Sequence, residues 1–311
     1  IFNNSFSGVQ IYGTGSEVNF NNTKIYNNEN STNGGGVYCF ESVVNLGENV
    51  LIFDNMARRG AGIYAQKCTV TLQAGDNHPM DEVEWGVYAN NATDSGAGIY
   101  LSQANLIGFG TLLRPISIIG NSIIGDQHEG KGGGIYLSSG SGMNLGNVRI
   151  SGNSARAAGA AIASNHNDTN LEAPFFSITR SDEGCEYDEI CTTLMNNSTS
   201  ENGYGDVISQ ENGGFGYVIQ ARVEGNGSPS SESLFKTNGG SQLILISDLI
   251  VSNSTSINMF DQQDGSEVYV QYSTLSDNSV GNYFNVQYDN NTPQILGVTG
   301  TIIKNGDATI A

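Results

Sequence analysis

Between Gly34 and Asn55 the chain reads GGGVYCFESVVNLGENVLIFDN, in which three short apolar runs, VYCF, SVVNL and NVLIF, are parted by Glu-Ser and Gly-Glu breaks. Runs of this length, rich in β-branched and aromatic residues and bounded by polar or glycine breaks, predict strands. The plan returns later as GGSQLILISDLIVSN at 239–253 and DGSEVYVQYSTLSDN at 264–278. No window places apolar residues at i, i+3, i+4 and i+7 with few glycines, so the pattern predicts an all-β chain.

The strands recur with two markers. The first is GGGVY at 34–38, GAGIY at 60–64 and 96–100, GGGIY at 132–136 and GAAIA at 159–163. Past residue 200, DVI (206–208), SLF (233–235), NMF (258–260) and NYF (282–284) take its place. The second marker is an aliphatic residue followed three positions later by Asn, at Asn4, Asn28, Asn55, Asn90, Asn121, Asn153, Asn197, Asn226, Asn253, Asn278 and Asn305. The shortest interval, Asn4 to Asn28, is 24 residues, so one unit takes about 24 residues and longer intervals carry insertions. Small residues at the GG position let the chain bend with φ > 0 or approach the next unit closely. An Asn repeated at one place in every unit can hydrogen-bond its counterparts above and below, as Asn ladders do in stacked sheets. The expectation is a single domain over 1–311, a right-handed parallel β-helix of about 11 rungs with three short strands each. Val37, Ile63, Ile99 and Ile135 stack inside it, and insertions fall near 73–86, 107–131 and 164–204.

GG[AG][IV] alternating with aliphatic-x-x-Asn, clearest from Ile1 to Asn165, resembles the polymorphic outer-membrane protein repeat of autotransporter passengers and large secreted bacterial proteins. At the position three before the Asn, where that family has Phe, this chain has Ile, Val or Leu. The resemblance implies a β-helical adhesin or surface-display stalk.

The chain carries 12 Lys and Arg against 31 Asp and Glu, a net charge of −19 and a pI near 4.2. A surface so acidic disfavours nucleic acid and anionic lipid, leaving neutral glycans or cation-bridged polymers as polymeric partners. No run of 18 apolar residues is present, so no helix is expected to span a membrane. Because the chain opens inside a repeat, flanking domains or further copies stacked end to end are the expected partners at its ends. Of four cysteines, Cys39 and Cys68 lie one repeat apart and can face each other across neighbouring units, while Cys185 and Cys191 bracket a short loop. Both pairings imply an oxidising compartment, secreted or cell-surface.

Candidate chemistry gathers in the insertions. His78, His128 and His166, the three histidines of the chain, all lie there, with Lys131 beside His128. Converging in one groove they would suit proton abstraction on a polysaccharide. The acidic stretch RSDEGCEYDEIC offers Asp182, Glu183, Asp188 and Glu189 as hard oxygen ligands for Ca²⁺. Tyr26, Tyr38, Tyr64, Tyr88, Tyr100 and Tyr136 recur beside the two markers, and an exposed stripe of them could stack on sugar rings. No lyase, polygalacturonase or epimerase signature is present. The expected function is therefore an extracellular structural or adhesive module, a stalk, passenger or filament subunit, without its own catalysis. The alternative is a carbohydrate-active enzyme, a polysaccharide lyase or hydrolase, whose groove is built from the insertions.

Overall fold

The computed structural model describes residues 1–73, 86–111, 114–125, 130–180, 192–200, 202–247, 250–287 and 294–304. Among them the only regular structure is strand, gathered into sheets of eighteen, ten and six strands with parallel pairing throughout. The chain visits the sheets in one order. Ile99–Ser102 and Asn105–Phe109 lie in the largest sheet, Ile116–Ile119 in the ten-stranded sheet and Ser122–Ile123 in the six-stranded sheet. Ile135–Ser138 then re-enters the largest sheet directly beside Ile99–Ser102. This recurrence of parallel strands fits a parallel β-helix.

Local assignments differ from the sequence expectation in informative ways. VYCF and SVVNL form one continuous strand, Val37–Leu46. The six-stranded sheet begins just past the marker Asn, as at Met56–Arg59, where the residues turned inward are mostly small: Ala57, Ala92 and Ala155. Alanine carries little strand propensity, so no apolar run announced this sheet. The span 107–131 is not one insertion, because it contains Ile116–Ile119 and Ser122–Ile123. The span 164–204 likewise contains Phe175–Thr179, Thr192–Met195 and Ser198–Thr199.

Parallel, in-register stacking places like on like. Val37, Ile63, Ile99, Ile135, Ile162, Ile208, Phe235, Phe260 and Phe284 form one buried row. They share a core with Ile52, Val87, Ile118 and Ile150 of the ten-stranded sheet. Two glycines of one corner show why that marker is small. Gly96 has φ +60, and a Cβ on Gly98 would stand 2.5 Å from the carbonyl oxygen of Gly134 in the next repeat. The first glycine turns the chain and the third admits its neighbour's backbone. Past residue 200 the strands Thr255–Gln262 and Ser279–Val286 run straight through this place, which explains why the glycine marker stops there.

The marker asparagines are buried and joined. In Asn55, Asn90, Asn121, Asn153 and Asn197 the backbone N and Nδ2 both donate to Oδ1 of the following Asn at 2.9–3.1 Å, ending on Asn226. Asn28 donates to Asn55 in the same way and accepts from Asn4. Nδ2 also reaches back: Asn121 donates to Val87 O and Asn153 to Ile118 O. Each amide thus ties three successive repeats. The residue before it takes positive φ, as at Asn27, Asp54, Ala89, Asn196 and Asp277.

One assignment needs correction. Asn253 is not a ladder residue: it is exposed, has φ +49, and its Nδ2 donates to Glu224 Oε1. Ser254 stands in the row, its Oγ accepting from Asn226 N and its N donating to Asn278 Oδ1. The inward aliphatic of this repeat is Val251, buried with Leu275, so counting three from Ile250 lands one residue early, on the left-handed position. Asn278 donates to Val251 O, and Asn305 lies outside the described residues.

Asn121→Ala orphans donors and acceptors in three repeats, with an expected loss of about 3 kcal/mol. Ser254→Ala should cost about 1 kcal/mol, and Asn253→Gly, which keeps the left-handed backbone, should fall within about 0.5 kcal/mol of the parent in urea unfolding. A larger loss at Asn253 than at Ser254 would refute the assignment.

Candidate functional site

The tyrosines divide into two rows. Tyr38, Tyr64, Tyr100 and Tyr136 project from the largest sheet on the side opposite the aliphatic row, with ring centroids 5.4, 5.2 and 5.0 Å apart. Tyr64, Tyr100 and Tyr136 are nonetheless only 6–7% exposed, so they are not an open stripe for sugar rings. Alternation tells which side of a strand a residue takes, not whether that side is covered. Here the guanidinium of Arg59, itself bonded to Asp94, lies 5.7 Å from the Tyr100 ring centre, and each inner ring is sandwiched by its neighbours. Burial pushes the Tyr64 phenol up to about 12 and raises those of Tyr100 and Tyr136 as well. Tyr26 and Tyr88 belong to another row, Phe2–Tyr26–Phe53–Tyr88, stacked on the ten-stranded sheet at 4.8–5.0 Å.

Beyond Tyr136 the first row continues as Ala163, Ser209, Lys236, Asp261 and Asn285. Aromatic stacking gives way to charge. Lys236 and Asp261, 5% and 3% exposed, form an ion pair, and Asn285 Nδ2 donates to Asp261 Oδ1 at 2.8 Å. The ammonium of Lys236 lies 5.5 Å from the Tyr204 ring centre, and Tyr204 OH donates to Glu211 Oε1 at 3.2 Å. Glu211 also takes both its oxygens to Lys131 Nζ, at 2.8 and 2.6 Å, and accepts from Asn165 Nδ2. Both carboxylates are buried and paired, which is what burial of charge requires.

Lys131 is therefore committed to Glu211, 80 residues away. His166, half-buried, has Nδ1 3.1 Å from Asn212 O and Nε2 3.0 Å from Leu171 O, while its backbone N donates to Glu211 O. Both ring nitrogens face backbone carbonyls, one in its own loop and one at Asn212, so the ring tethers a loop. The structure thus brings Lys131 and His166 to the same segment, Glu211–Asn212. His78 and His128 lie outside the described residues, as do Asp182, Glu183, Asp188, Glu189, Cys185 and Cys191. Among the described residues no group of three His, Cys, Asp or Glu is gathered to hold a metal. Glu211, Tyr204, Lys236 and Asp261 were not anticipated. A signal existed for the last two: each follows the inward Phe of its repeat, and opposite charges 25 residues apart fall on adjacent strands.

Cys39 and Cys68 form a disulfide with Cα atoms 6.3 Å apart, both buried. This is consistent with an extracellular location, and among the described residues no helix is long and apolar enough to cross a membrane. The chain matches no protein-family model, and no curated protein or solved structure matches it.

Asp206 occupies the second position of a corner that elsewhere carries Gly35, Ala61, Ala97, Gly133 or Ala160. It is fully buried, and Oδ1 accepts from Thr199 N and Oγ1 at 2.6 and 2.7 Å. Burial pushes its carboxyl up to about 6, opposed by the Ser231 hydroxyl and the Thr199 bonds. The folded chain holds this proton more tightly than the unfolded one, so stability is greatest below about pH 4 for this group and falls as pH rises through about 6. Asp206→Asn should match the parent in urea unfolding near pH 4 and exceed it by about 3 kcal/mol at pH 7. An unchanged difference across this window would refute the shift.

Proposed function

We propose that the chain coils as a right-handed parallel β-helix of about 11 rungs and serves as a secreted or cell-surface structural and adhesive module, of the polymorphic outer-membrane protein repeat type, without catalysis of its own. The observation that carries this reading is the Asn ladder, held in one register from Asn4 to Asn226 while the intervals between its members vary from 24 to 44 residues. Such a core is built for shape, and it tolerates whatever the insertions display. The paired state of Lys131, Glu211, Lys236 and Asp261 and the tether made by His166 support a structural use of these groups over a catalytic one.

Beads coated with the chain are expected to adhere to cell or matrix surfaces while releasing no reducing ends or unsaturated uronates from a panel of polysaccharides. Specific sugar release, abolished in Glu211→Gln with retained circular dichroism, would overturn the reading in favour of a carbohydrate-active enzyme. Absence of adhesion would remove its adhesive half.

A further inference from the structure

The outer side of the largest sheet carries a row Tyr217, Ile244, Tyr269 and Gly297, one residue per repeat. Its last two members differ from the tyrosine rows already described. Where the next ring of a stack would stand there is a glycine: a Cβ on Gly297 would lie 2.6 Å from Cδ1 of Tyr269. At the neighbouring corner a Cβ on Gly300 would lie 2.6 Å from Cδ1 of Tyr272. Both rings lean over bare backbone, and neither has a stacked aromatic partner among the described residues.

Tyr272 is the more telling. It is 60% exposed and has φ +49, at a corner where the preceding repeats place Gln220 and Ser247 and the next places Gly300. A bulky aromatic in the left-handed region carries strain, and one this exposed gains little from burial. The carboxylate of Glu267 accepts from Gln242 Nε2 and from Tyr269 OH. Tyr269 and Tyr272 are three residues apart, roughly 10 Å along an extended chain, a span that suits about two linked sugar rings.

We propose that Tyr269 and Tyr272 form a stacking platform for a neutral polysaccharide, with Gln242 and Glu267 bonding its hydroxyls. Aromatic rings offer apolar faces to the C–H side of a pyranose, and planar amide and carboxylate groups bond hydroxyls in pairs. The acidic chain selects against uronates and sulfated glycans. The inference rests on the adhesive reading above and names its ligand class.

The test is affinity gel electrophoresis of the whole chain through hydroxyethylcellulose, galactomannan and mixed-linkage β-glucan, with alginate as the anionic comparison. Retardation by at least one neutral polymer and none by alginate is expected. Tyr272→Gly, which relieves the left-handed strain, should lower the association constant at least tenfold while thermal stability is kept or raised. Tyr269→Ala should weaken binding similarly, and Tyr26→Ala, on another sheet, should not. No retardation by any neutral polymer, retardation only by alginate, or undiminished retardation of Tyr272→Gly would overturn the proposal. Beads that still adhere without glycan retardation would sink this inference alone, whereas retardation accompanied by sugar release would sink the non-catalytic reading and leave the platform standing.

Discussion

A single hydrogen-bond pattern, the side-chain amide of one Asn donating forward to the next Asn and back to a carbonyl of the previous repeat, holds the register on which everything else depends. In a strand the side-chain period is two, so a slip of one residue would exchange every inward residue for an outward one. Hydrophobic burial alone would not forbid larger slips, because neighbouring repeats present similar aliphatic rows. A buried amide does, since its donors and acceptors are satisfied at one register only and are costly to orphan. Once that register is set, aliphatic meets aliphatic, ring meets ring, and Phe176 finds room because its counterpart is Gly216, whose missing Cβ would lie 2.3 Å from the Phe176 ring tip.

Much of this order was legible in the residues and some of it was not, for physical reasons. The glycine and asparagine markers could be read because backbone geometry at a tight corner and amide pairing in a buried row admit few residue types. The six-stranded sheet escaped notice because its inward positions, Ala57, Ala92 and Ala155, bury too little to leave an apolar run. Asn253 misled because Asn suits two adjacent slots, the left-handed backbone and the ladder, and only the position of Val251 decides between them. The tyrosine row misled because strand alternation says nothing about what folds over the outer side. The Lys131–Glu211 contact joins residues 80 apart across two repeats, a pairing that no local spacing announces.

The two halves of the chain solve the same packing problem with different materials. Up to Gly205 the corner is made of small residues and the outer row of stacked tyrosines. Beyond it the corner slots hold Asp206, Ser233, Asn258 and Asn282, the outer row holds Lys236 and Asp261, and the inner row turns to Phe235, Phe260 and Phe284. Larger inner rings replace the aliphatic residues where the turn is straightened into one strand, and polar side chains bond one another where glycine had let backbones meet. A buried Asp at the head of this series is the cost of that change, visible in a carboxyl that burial pushes up to about 6.

The disulfide acquires a mechanical meaning from the stacking direction. In parallel sheets the hydrogen bonds run from strand to strand along the stack, so a pull between the chain ends opens them in succession, one repeat peeling from the next. A chain anchored at one end and loaded at the other would lengthen by about 3.4 Å for every residue released. Cys39–Cys68 withdraws a segment of 29 residues from that lengthening, roughly 100 Å of slack that cannot be drawn out while the bond is intact. Peeling that reaches Cys39 meets a covalent stop, and the load passes across the bond into the repeats behind it.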